Sequence, residues 1–517
     1  MKNNTNNALK TIRIIISIIL FSLITFFFLD FAGLLPTGFH FLEHFQFVPA
    51  LIAAVSGLSI VFFLLLIVLT LLFGRIYCST LCPMGVYQDI VSWFSKKTAK
   101  KKKRYQYKKA NNILRWSVVI VVLIAFFTGF TVVFASLDPY SAYGRMATHL
   151  FKPVYAAGNN LLATVFNHFG DYSFYKVDVY ILSIFSFAVA LITLFIVSFF
   201  AWKYGRTYCN TICPVGTALG SLSKYSLFKV RIDSKKCNHC GLCATKCKAY
   251  CIDSKSGEID YSRCVDCFNC LDSCKQAALK FAPSKKKAAT SNEPENPAKR
   301  QFLSIALLSA VTAPKAFARK KHADNIYGKT YTRQQPISQP GAVSTEHLLK
   351  HCTSCHLCVS KCPSNVIKPA FLEYGIGGMM QPVMFYEKGF CNYYCTLCSD
   401  VCPNGALIKL SPEEKRLTQI GKVVFNEDIC VVHTDGTNCG ACAEHCPTQA
   451  VKMIPYKDGL TIPFIDRDIC IGCGGCEFIC PVRPHRAIFV EGNAIQLQAK
   501  PFIEEEKEEF AIDDFGF

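Results

Sequence analysis

Cysteine is the residue type whose number and spacing predict chemistry in this chain. The sequence has 517 residues, 29 of them cysteine, and almost all of the cysteines fall into spaced sets. Six sets contain four cysteines each, two sets contain two, and one cysteine is left over. Thiolates repeated at short spacing are ligands for iron–sulfur clusters or for soft metals such as zinc and copper. The spacing therefore predicts metal-dependent redox chemistry or metal binding.

Two of the quartets are close neighbours and share the spacing C-x2-C-x2-C-x3-C. They are Cys237, Cys240, Cys243 and Cys247, then Cys264, Cys267, Cys270 and Cys274. Bacterial ferredoxins use this spacing for two [4Fe-4S] clusters, and the fourth cysteine of each run binds the other cluster. We therefore predict that Cys274 completes the first set and Cys247 the second. Zinc is an alternative metal for such cysteines, but zinc sites more often pair two C-x2-C knuckles than use a regular run of four. The residue after each run is usually proline, and here it is Lys248 or Lys275. The remaining cysteine, Cys251, is predicted to be a buried free thiol.

Four further quartets follow, each with a proline after its fourth cysteine, as in ferredoxin runs. They are Cys352, Cys355, Cys358 and Cys362; Cys391, Cys395, Cys398 and Cys402; Cys430, Cys439, Cys442 and Cys446; Cys470, Cys473, Cys476 and Cys480. The sequence thus predicts six [4Fe-4S] clusters in total. Two pairings stay open here. Neighbouring quartets exchange ligands as two separate ferredoxins, or the first pairs with the fourth and the second with the third.

Four apolar stretches precede these cysteines, at about residues 12–30, 48–73, 114–136 and 178–202. Each is near the ~20 residues that cross a bilayer, so residues 1–228 are predicted to form a four-span membrane domain. Lysines and arginines at the start and between the second and third stretches place those segments in the cytoplasm. The formal charge of +19 follows partly from this placement and is offset by anionic clusters, so nucleic acid is not a predicted partner.

An internal repeat lies in this membrane domain. The segment GRIYCSTLCPMG at 74–85 matches GRTYCNTICPVG at 205–216 at eight of twelve positions. Each copy follows the second helix of a predicted hairpin, which indicates two parallel repeats. If each C-x3-C pair lies on a helix, Cys78, Cys82, Cys209 and Cys213 present their thiols on facing sides. Four thiolates suit a further cluster or a soft metal, and cysteines that only cap helices are the alternative.

The doubled G-R-x-Y-C-x-T-x-C-P motif, followed by a two-cluster ferredoxin, resembles the NapH-type membrane subunits of quinol dehydrogenases, relatives of NosR and CcoG. The second half resembles the NapG/MauM-type ferredoxins that are their soluble partners. The resemblance implies a fusion of the two, which takes electrons from the membrane quinol pool to a periplasmic reductase or electron carrier. Two alternatives remain: a relay subunit without its own quinone site, and a CcoG-like copper reductase or assembly factor.

Candidate quinol-site residues lie in the first loop outside the membrane, where His40, Glu43 and His44 follow one another closely. A quinol that gives up electrons needs a proton acceptor and a hydrogen-bond partner, and histidine or a carboxylate serves both roles near neutral pH. The second loop, with Asp138, Tyr140 and His149, is a weaker candidate. Polar residues that only face lipid head groups are the alternative for both loops.

The remaining segments complete the predicted organisation. Residues 229–282 are a cytoplasmic ferredoxin, and 283–300 and 319–345 are linkers of polar and charged composition. Residues 301–318 combine a basic pair, an apolar run and small residues, as in a twin-arginine-like signal or a fifth span. A cytoplasmic amphipathic helix is the alternative there. Residues 346–495 are a periplasmic four-cluster ferredoxin, and 496–517 an acidic tail. The predicted fold class is an α-helical membrane bundle with α+β two-[4Fe-4S] ferredoxin modules, in a bacterial inner membrane.

Overall fold

The computed structural model of the chain describes residues 2–31, 33–35, 37–98, 105–274, 276–284 and 333–501. The segment 301–318, predicted as an export signal or a fifth span, lies outside the described residues. The same holds for most of the two predicted linkers around it and for most of the acidic tail.

The first half is helical. Its helices are α1 Lys2–Leu29, α2 Phe41–His44, α3 Phe47–Val55, α4 Val61–Phe73, α5 Tyr77–Thr80, α6 Pro83–Thr98, α7 Asn112–Phe127, α8 Thr131–Leu137, α9 Pro139–Met146, α10 Lys152–His168, α11 Ile184–Tyr204, α12 Thr207–Thr211 and α13 Pro214–Ser223. A 3-10 turn, Thr37–His40, leads into α2, and a π-helical turn, Ala147–Phe151, joins α9 to α10. Among the described residues, two helical segments are long and apolar enough to cross a membrane, Ala8–Leu29 in α1 and Ile184–Tyr204 in α11.

The structure differs from the prediction of four single spanning helices. The stretch 48–73 is divided into α3 and α4, and the stretch 114–136 into α7 and α8. Both breaks contain a glycine with positive φ, Gly57 at 75° and Gly129 at 78°. Glycine adopts this left-handed conformation without a Cβ penalty, so a helix ends there readily. The apolar helices α4 and α7 are consequently shorter than a spanning helix.

The internal repeat folds twice in the same way. Gly74 ends α4 and Gly205 ends α11, both with positive φ, and the short helices α5 and α12 follow. Pro83 and Pro214 are the first residues of α6 and α13, a position where the missing N–H of proline has no cost. Each C-x3-C pair therefore extends from a short helix to the start of the next one. The condition that each pair lies on one continuous helix is therefore not met.

The first ferredoxin is a small α+β unit. Its elements are β1 Phe228–Ile232, α14 Leu242–Lys246, β2 Ile252–Asp253, β3 Glu258–Ile259, α15 Asn269–Ser273 and β4 Leu279–Pro283. The terminal strands β1 and β4 pair antiparallel from Phe228 opposite Pro283 to Ile232 opposite Leu279, and β2 pairs with β3. The two cysteine runs lie between these strand pairs.

The second half contains two further units of short helices and paired strands. Its strands are β5 Ile367–Pro369, β6 Pro382–Met384, β7 Thr418–Phe425, β8 Val451–Pro455, β9 Thr461–Ile465 and β10 Ile488–Gln498, and its helices are Thr345–His351, Leu357–Lys361, Leu397–Asp400, Pro412–Leu417, Val431–Thr434, Ala441–Glu444 and Gly475–Ile479. The antiparallel pairs are β5 with β6, β8 with β9, and β7 with β10. In the last unit the outer pair β7 and β10 encloses the inner pair, as in the first ferredoxin.

Residues 333–345, which the sequence assigned to a linker, belong to this second half. Arg333 forms an ion pair with Glu477, and Ile337 is fully buried and bridges to Met384. These packed contacts connect distant parts of the chain, so composition alone did not indicate them.

Both ferredoxin halves pack on the helical domain, at opposite ends of α1. Lys10 Nζ lies 2.7 Å from the Asp272 carboxylate of the first ferredoxin. Just beyond the other end, Asp30 forms a 2.9 Å ion pair with Lys361 of the second half, and the Phe28 carbonyl accepts a hydrogen bond from the Ser360 hydroxyl. At 1.5 Å per residue, the contact residues Lys10 and Asp30 are about 30 Å apart along the helix axis.

Candidate metal centres

Two cavities in the first ferredoxin are lined by cysteines. One is lined by Cys237, Cys240, Cys243 and Cys274, and the other by Cys247, Cys251, Cys264, Cys267 and Cys270. Each cavity thus gathers three thiols of one run and the fourth of the other, as the predicted exchange requires. Such a donor set fits a [4Fe-4S] cluster, whose chemistry is the gain and loss of single electrons.

Cys251 is the additional sulfur at the second cavity. Its side chain is 1% exposed, and its Sγ lies 3.4 Å from Sγ of Cys247. A thiol at this distance can donate a weak hydrogen bond to a neighbouring thiolate. The structure therefore places Cys251 where it would influence the ligand Cys247.

In the second half, neighbouring quartets come together and exchange their fourth cysteine. Cys402 lies within electrostatic range of Cys352, Cys355 and Cys358, and Cys362 within range of Cys391 and Cys395. The last unit repeats this arrangement. The four sets are Cys352, Cys355, Cys358, Cys402; Cys362, Cys391, Cys395, Cys398; Cys430, Cys439, Cys442, Cys480; and Cys446, Cys470, Cys473, Cys476. The sequence left two pairings open. In the structure, neighbouring quartets exchange ligands as two separate ferredoxins, and the first quartet does not pair with the fourth.

The two ferredoxins of the second half touch at their cysteine sets. The main-chain N–H of Cys391 donates to the carbonyl of Cys473 at 2.9 Å. Cys391 belongs to the set completed by Cys362, and Cys473 to the set completed by Cys446. The four sets therefore form a row, with these two sets adjacent in its middle.

The four cysteines of the C-x3-C-P repeats meet inside the helical domain. Cys78, Cys82, Cys209 and Cys213 are each 3–5% exposed and lie within electrostatic range of one another. The N–H of Gly216 donates to Sγ of Cys213 at 3.3 Å, so this cysteine caps α13. Cys213 therefore caps a helix and also belongs to the group of four neighbouring thiols, so the two roles predicted as alternatives are compatible.

Two arginines cross between the repeats at this site. Arg206 of the second repeat donates to the carbonyl of Cys78 at 2.6 Å, and Arg75 of the first donates to the carbonyl of Cys209 at 3.4 Å. A Cβ on Gly85 would lie 2.2 Å from the Cys78 carbonyl oxygen, and a Cβ on Gly216 equally close to that of Cys209. These contacts explain why both copies of the repeat have glycine at this position.

The charges around the four cysteines favour an anionic occupant. Arg75 is fully buried and, among the described residues, forms no ion pair with a carboxylate. The carboxylate oxygens of Asp89 form ion pairs with the nitrogens of three cationic side chains, Arg206 at 2.7 Å, Lys248 at 2.9 Å and Arg13 at 3.3 Å. Burial raises the pKa of the Asp89 carboxyl, but these cations outweigh that effect and hold the pKa well below its usual range. Buried cations need counter-charge, which four thiolates supply.

Unpaired polar atoms and the spacing of the thiols point the same way. Nε of Arg75 and Nη2 of Arg206 have no hydrogen-bond partner within the part of the chain that the structure describes, so both can donate to a bound sulfide or thiolate. No three His, Cys, Asp or Glu side chains in the described ranges converge tightly enough to hold a single metal ion. This holds for the ferredoxin quartets as well. The four thiols and the two unpartnered N–H groups therefore suit a thiolate-bound group, a cluster or a soft metal.

The loop residues assigned to quinol chemistry lie beside the first cysteine set of the second half. Nδ1 of His40 is 3.3 Å from Oε1 of Glu43, and Nδ1 of His44 donates to the carbonyl of Pro403 at 2.9 Å. Glu43 is 1% exposed and lies within electrostatic range of Cys355. Burial raises the pKa of Glu43 to about 7, against the opposing effect of His40.

The hydroxyl of Tyr140 is a further polar group near Glu43. The sequence indicated Tyr140 only as part of the weaker second-loop candidate. Its ring is 1% exposed, its hydroxyl has no hydrogen-bond partner among the described residues, and it lies within electrostatic range of Glu43 and Cys355. Asp138 caps α9 by accepting from the N–H of Ser141 at 2.9 Å, which fixes the start of the helix that carries Tyr140.

The second loop contacts the second half through a histidine pair. Nε2 of His149 lies 2.8 Å from Nδ1 of His356, and Nε2 of His356 donates to the carbonyl of Met380 at 2.7 Å. Burial lowers the pKa of His149 to about 4. His149 is therefore a neutral docking residue in this structure, and it does not join the group around Glu43.

Sequence reasoning missed the residues that join the modules. Asp89 and Lys248 connect the helical domain to the first ferredoxin, and Asp30 and Lys361 connect it to the second half. The one available signal was Lys248, which stands where ferredoxin runs usually have proline. Its ion pair with Asp89 gives that departure a structural reason.

Three protein-family models, all of iron–sulfur domains, match parts of this chain. A family described as a 4Fe-4S binding domain matches residues 55–102 and 184–234, which contain the two C-x3-C-P repeats. Two families described as 4Fe-4S dicluster domains match residues 260–366 and 436–483. The match over 260–366 contains two quartets that the structure pairs with other partners, so it does not correspond to one ligand set.

Curated relatives are ferredoxin-type proteins. NapF of Escherichia coli (strain K12) is 28% identical over 168 residues, 32% of this chain and 94% of NapF. The methylamine utilization protein MauM of Methylobacillus flagellatus is 28% identical over 172 residues, 30% of this chain and 71% of MauM. NapG of Escherichia coli (strain K12) is 27% identical over 157 residues, 28% of this chain and 65% of NapG. No solved structure matches. The chain therefore carries 4Fe-4S ferredoxin domains, which indicates iron–sulfur electron transfer.

Proposed function

We propose that this chain is a membrane-bound electron-transfer protein with six [4Fe-4S] sites, which oxidises quinol and delivers the electrons through the clusters of its second half to a periplasmic acceptor. The observation that carries the proposal is the position of Glu43. This buried carboxyl lies beside His40 and Tyr140 and within electrostatic range of Cys355, a ligand of the nearest cysteine set. A proton acceptor thus lies next to an electron acceptor, which is what quinol oxidation needs.

The apolar surface of the helical half supports a place in the membrane. In the most apolar segments of the two long helices, α1 and α11, only 28% and 22% of the residues are buried within the protein. Large apolar side chains on α1, α4, α7 and α11 are exposed, among them Ile15, Val68, Ile124 and Phe195. A belt of this kind is unfavourable in water and favourable in lipid. The short helices α4 and α7 add to the same belt, and multi-pass insertion is part of the proposal.

The roles of the loop residues follow from their contacts. Quinol oxidation releases two protons and two electrons. The Glu43 carboxylate accepts one proton when its pKa is near the ambient pH, and Nε2 of His44 accepts the other. His40 stacks on Phe27 at 5.2 Å between ring centroids and hydrogen-bonds Glu43, so it holds this carboxyl in place. His44 donates through Nδ1 to Pro403, which leaves Nε2 as an acceptor for a quinol hydroxyl. A cluster held by the set that contains Cys355 would take up the electrons one at a time.

The test is anaerobic reduction of the full-length protein by a menaquinol analogue, followed by electron paramagnetic resonance of the clusters. Glu43→Gln should slow reduction by quinol and leave reduction by dithionite unchanged, because only the proton acceptor is lost. Glu427→Gln, an exposed glutamate of the second half, is the matched control. Equal quinol rates in Glu43→Gln and the wild type would contradict the assigned site. Absence of quinol reduction in the wild type would favour a relay without a quinone site, and one copper bound per chain at the C-x3-C-P cysteines would favour a metal reductase.

A further inference from the structure

The two ferredoxin halves contact the helical domain at ends of α1 that are separated by the thickness of a bilayer. Lys10 meets Asp272 at one end and Asp30 meets Lys361 just beyond the other. Lys10 and Asp30 are 20 residues apart, so the rise of an α-helix separates these two contacts by about 30 Å, which is also the thickness of the hydrocarbon core. Electron tunnelling weakens steeply with distance, so a gap of this length requires a redox site between the two halves.

The four C-x3-C-P cysteines lie in this gap and are connected to the first ferredoxin by Arg75. This guanidinium is 3.8 Å from Sγ of Cys78 and donates to the carbonyl of Ser262 at 3.1 Å. Ser262 stands two residues before Cys264, and Cys267 of the same cysteine set packs against the apolar core that contains Cys78. The side of the site that faces the first ferredoxin is thus in close contact with it.

A corresponding connection leads to the second half. Tyr208, which directly precedes Cys209, lies within electrostatic range of Cys213 and of Arg145. Arg145 is 1% exposed and donates to the carbonyl of Ser354 at 3.2 Å, one residue before Cys355. Cys355 packs against the same apolar core as Cys267 does. A single buried core therefore links one cysteine set of each ferredoxin half through the four central cysteines.

We infer that Cys78, Cys82, Cys209 and Cys213 form one shared redox site that lets single electrons cross the membrane between the two ferredoxin halves. One electron leaves the set completed by Cys247, which is oxidised, and one electron is gained by the set completed by Cys402, which is reduced. No bond is made or broken and no proton is moved. The electrons come from a low-potential one-electron donor on the side of the first ferredoxin. The inference rests on the proposed membrane position and is independent of quinol oxidation.

The experiment uses the full-length protein, with its clusters, in quinone-free vesicles. Dithionite is enclosed and ferricyanide is added outside; both are anions that do not cross lipid, and valinomycin with potassium removes any membrane potential. The wild type should bleach ferricyanide well above the rate of protein-free vesicles. The double variant Cys78→Ser/Cys213→Ser should fall to the protein-free rate, and Tyr87→Phe, a change outside the site, should keep the wild-type rate.

Two further readouts separate loss of the site from loss of the fold. Iron and acid-labile sulfide in the double variant should fall by the content of one cluster only, and one cluster signal should disappear from the resonance spectrum. In detergent, dithionite alone should reduce the clusters of both halves of the variant, and ferricyanide added after removal of dithionite should reoxidise them, as in the wild type. A wild type that does not conduct across vesicles overturns the inference, as does a double variant that lacks the central signal and still conducts.

Discussion

Arg206, in the second C-x3-C-P repeat, donates a 2.6 Å hydrogen bond to the carbonyl of Cys78 in the first repeat. Its counterpart Arg75 does the same in the opposite direction, to Cys209. Each repeat thus supplies the cation that faces the cysteines of the other. Neither half of the site is complete alone, which is the structural reason for two copies of the motif in one chain.

Arg206→Gln should make the reduction potential of the central site more negative, because the reduced state carries one more negative charge and loses a counter-charge. A unit charge at such a distance corresponds to a shift on the order of 50–100 mV. The measurement is a redox titration followed by electron paramagnetic resonance. Arg231→Gln, a half-buried arginine of the first ferredoxin that donates to the carbonyl of Pro283, should leave this potential unchanged. An unaltered potential in Arg206→Gln would show that the guanidinium does not act on the cysteines.

Gly85→Ala should disrupt the central site, because the new methyl group would lie 2.2 Å from the carbonyl oxygen of Cys78 and 2.8 Å from Nη1 of Arg206. The backbone of α5 would have to move, and we expect loss of the iron of one cluster. Gly158→Ala is the matched control, because Gly158 lies within α10 and a methyl group there meets nothing within 4 Å. That variant should keep all of its iron and gain about 0.5–1 kcal/mol of helix stability. Full iron content in Gly85→Ala would refute the crowding argument.

The rate of quinol oxidation should rise with pH through about 7, where burial places the pKa of Glu43. The carboxylate is the proton-accepting form, and its fraction grows about tenfold between pH 6 and 8. Because burial raises this pKa, the rise occurs near neutrality and not near the usual glutamate pKa. Stopped-flow reduction of the clusters at several pH values measures it. In Glu43→Gln this part of the pH profile should disappear, and its persistence would assign the proton acceptor to another group.

Lys361→Met should loosen the second half from the helical domain, because Asp30 would be left buried and unpaired. Removing one partner of a buried ion pair costs about 3–5 kcal/mol. Hydrogen exchange should become faster in the helix Leu357–Lys361 and at the end of α1. The control Lys350→Met breaks an exposed pair with Glu346 and should change stability by under about 1 kcal/mol. Unchanged exchange in Lys361→Met would mean that other contacts hold the halves together.

Cysteine spacing predicted the composition of the sites because the ligands of a ferredoxin cluster are local in sequence. The set completed by Cys274 follows from a short motif and needs no knowledge of the fold. The contacts that join the modules are different in kind. Asp89 with Lys248, and Asp30 with Lys361, are separated by more than a hundred residues, and no local pattern specifies them.

The predicted spanning helices also show what a local sequence pattern cannot specify. Hydrophobicity found all four apolar stretches, but it did not show that Gly57 and Gly129 interrupt two of them with positive φ. A single glycine changes the average hydropathy of a stretch very little, yet it ends the helix. Tertiary contacts of α4 and α7 with the repeats then decide where these short helices lie.

Iron content tests the central claim most directly, since all proposed electron transfer depends on clusters bound by these cysteines. Anaerobically isolated protein should be brown and contain about 24 irons per chain for six four-iron clusters, with more if the central site is also filled. Acid-labile sulfide should match the iron. A colourless protein, or one with zinc or disulfides in place of iron and far fewer irons than two dozen, would contradict the account.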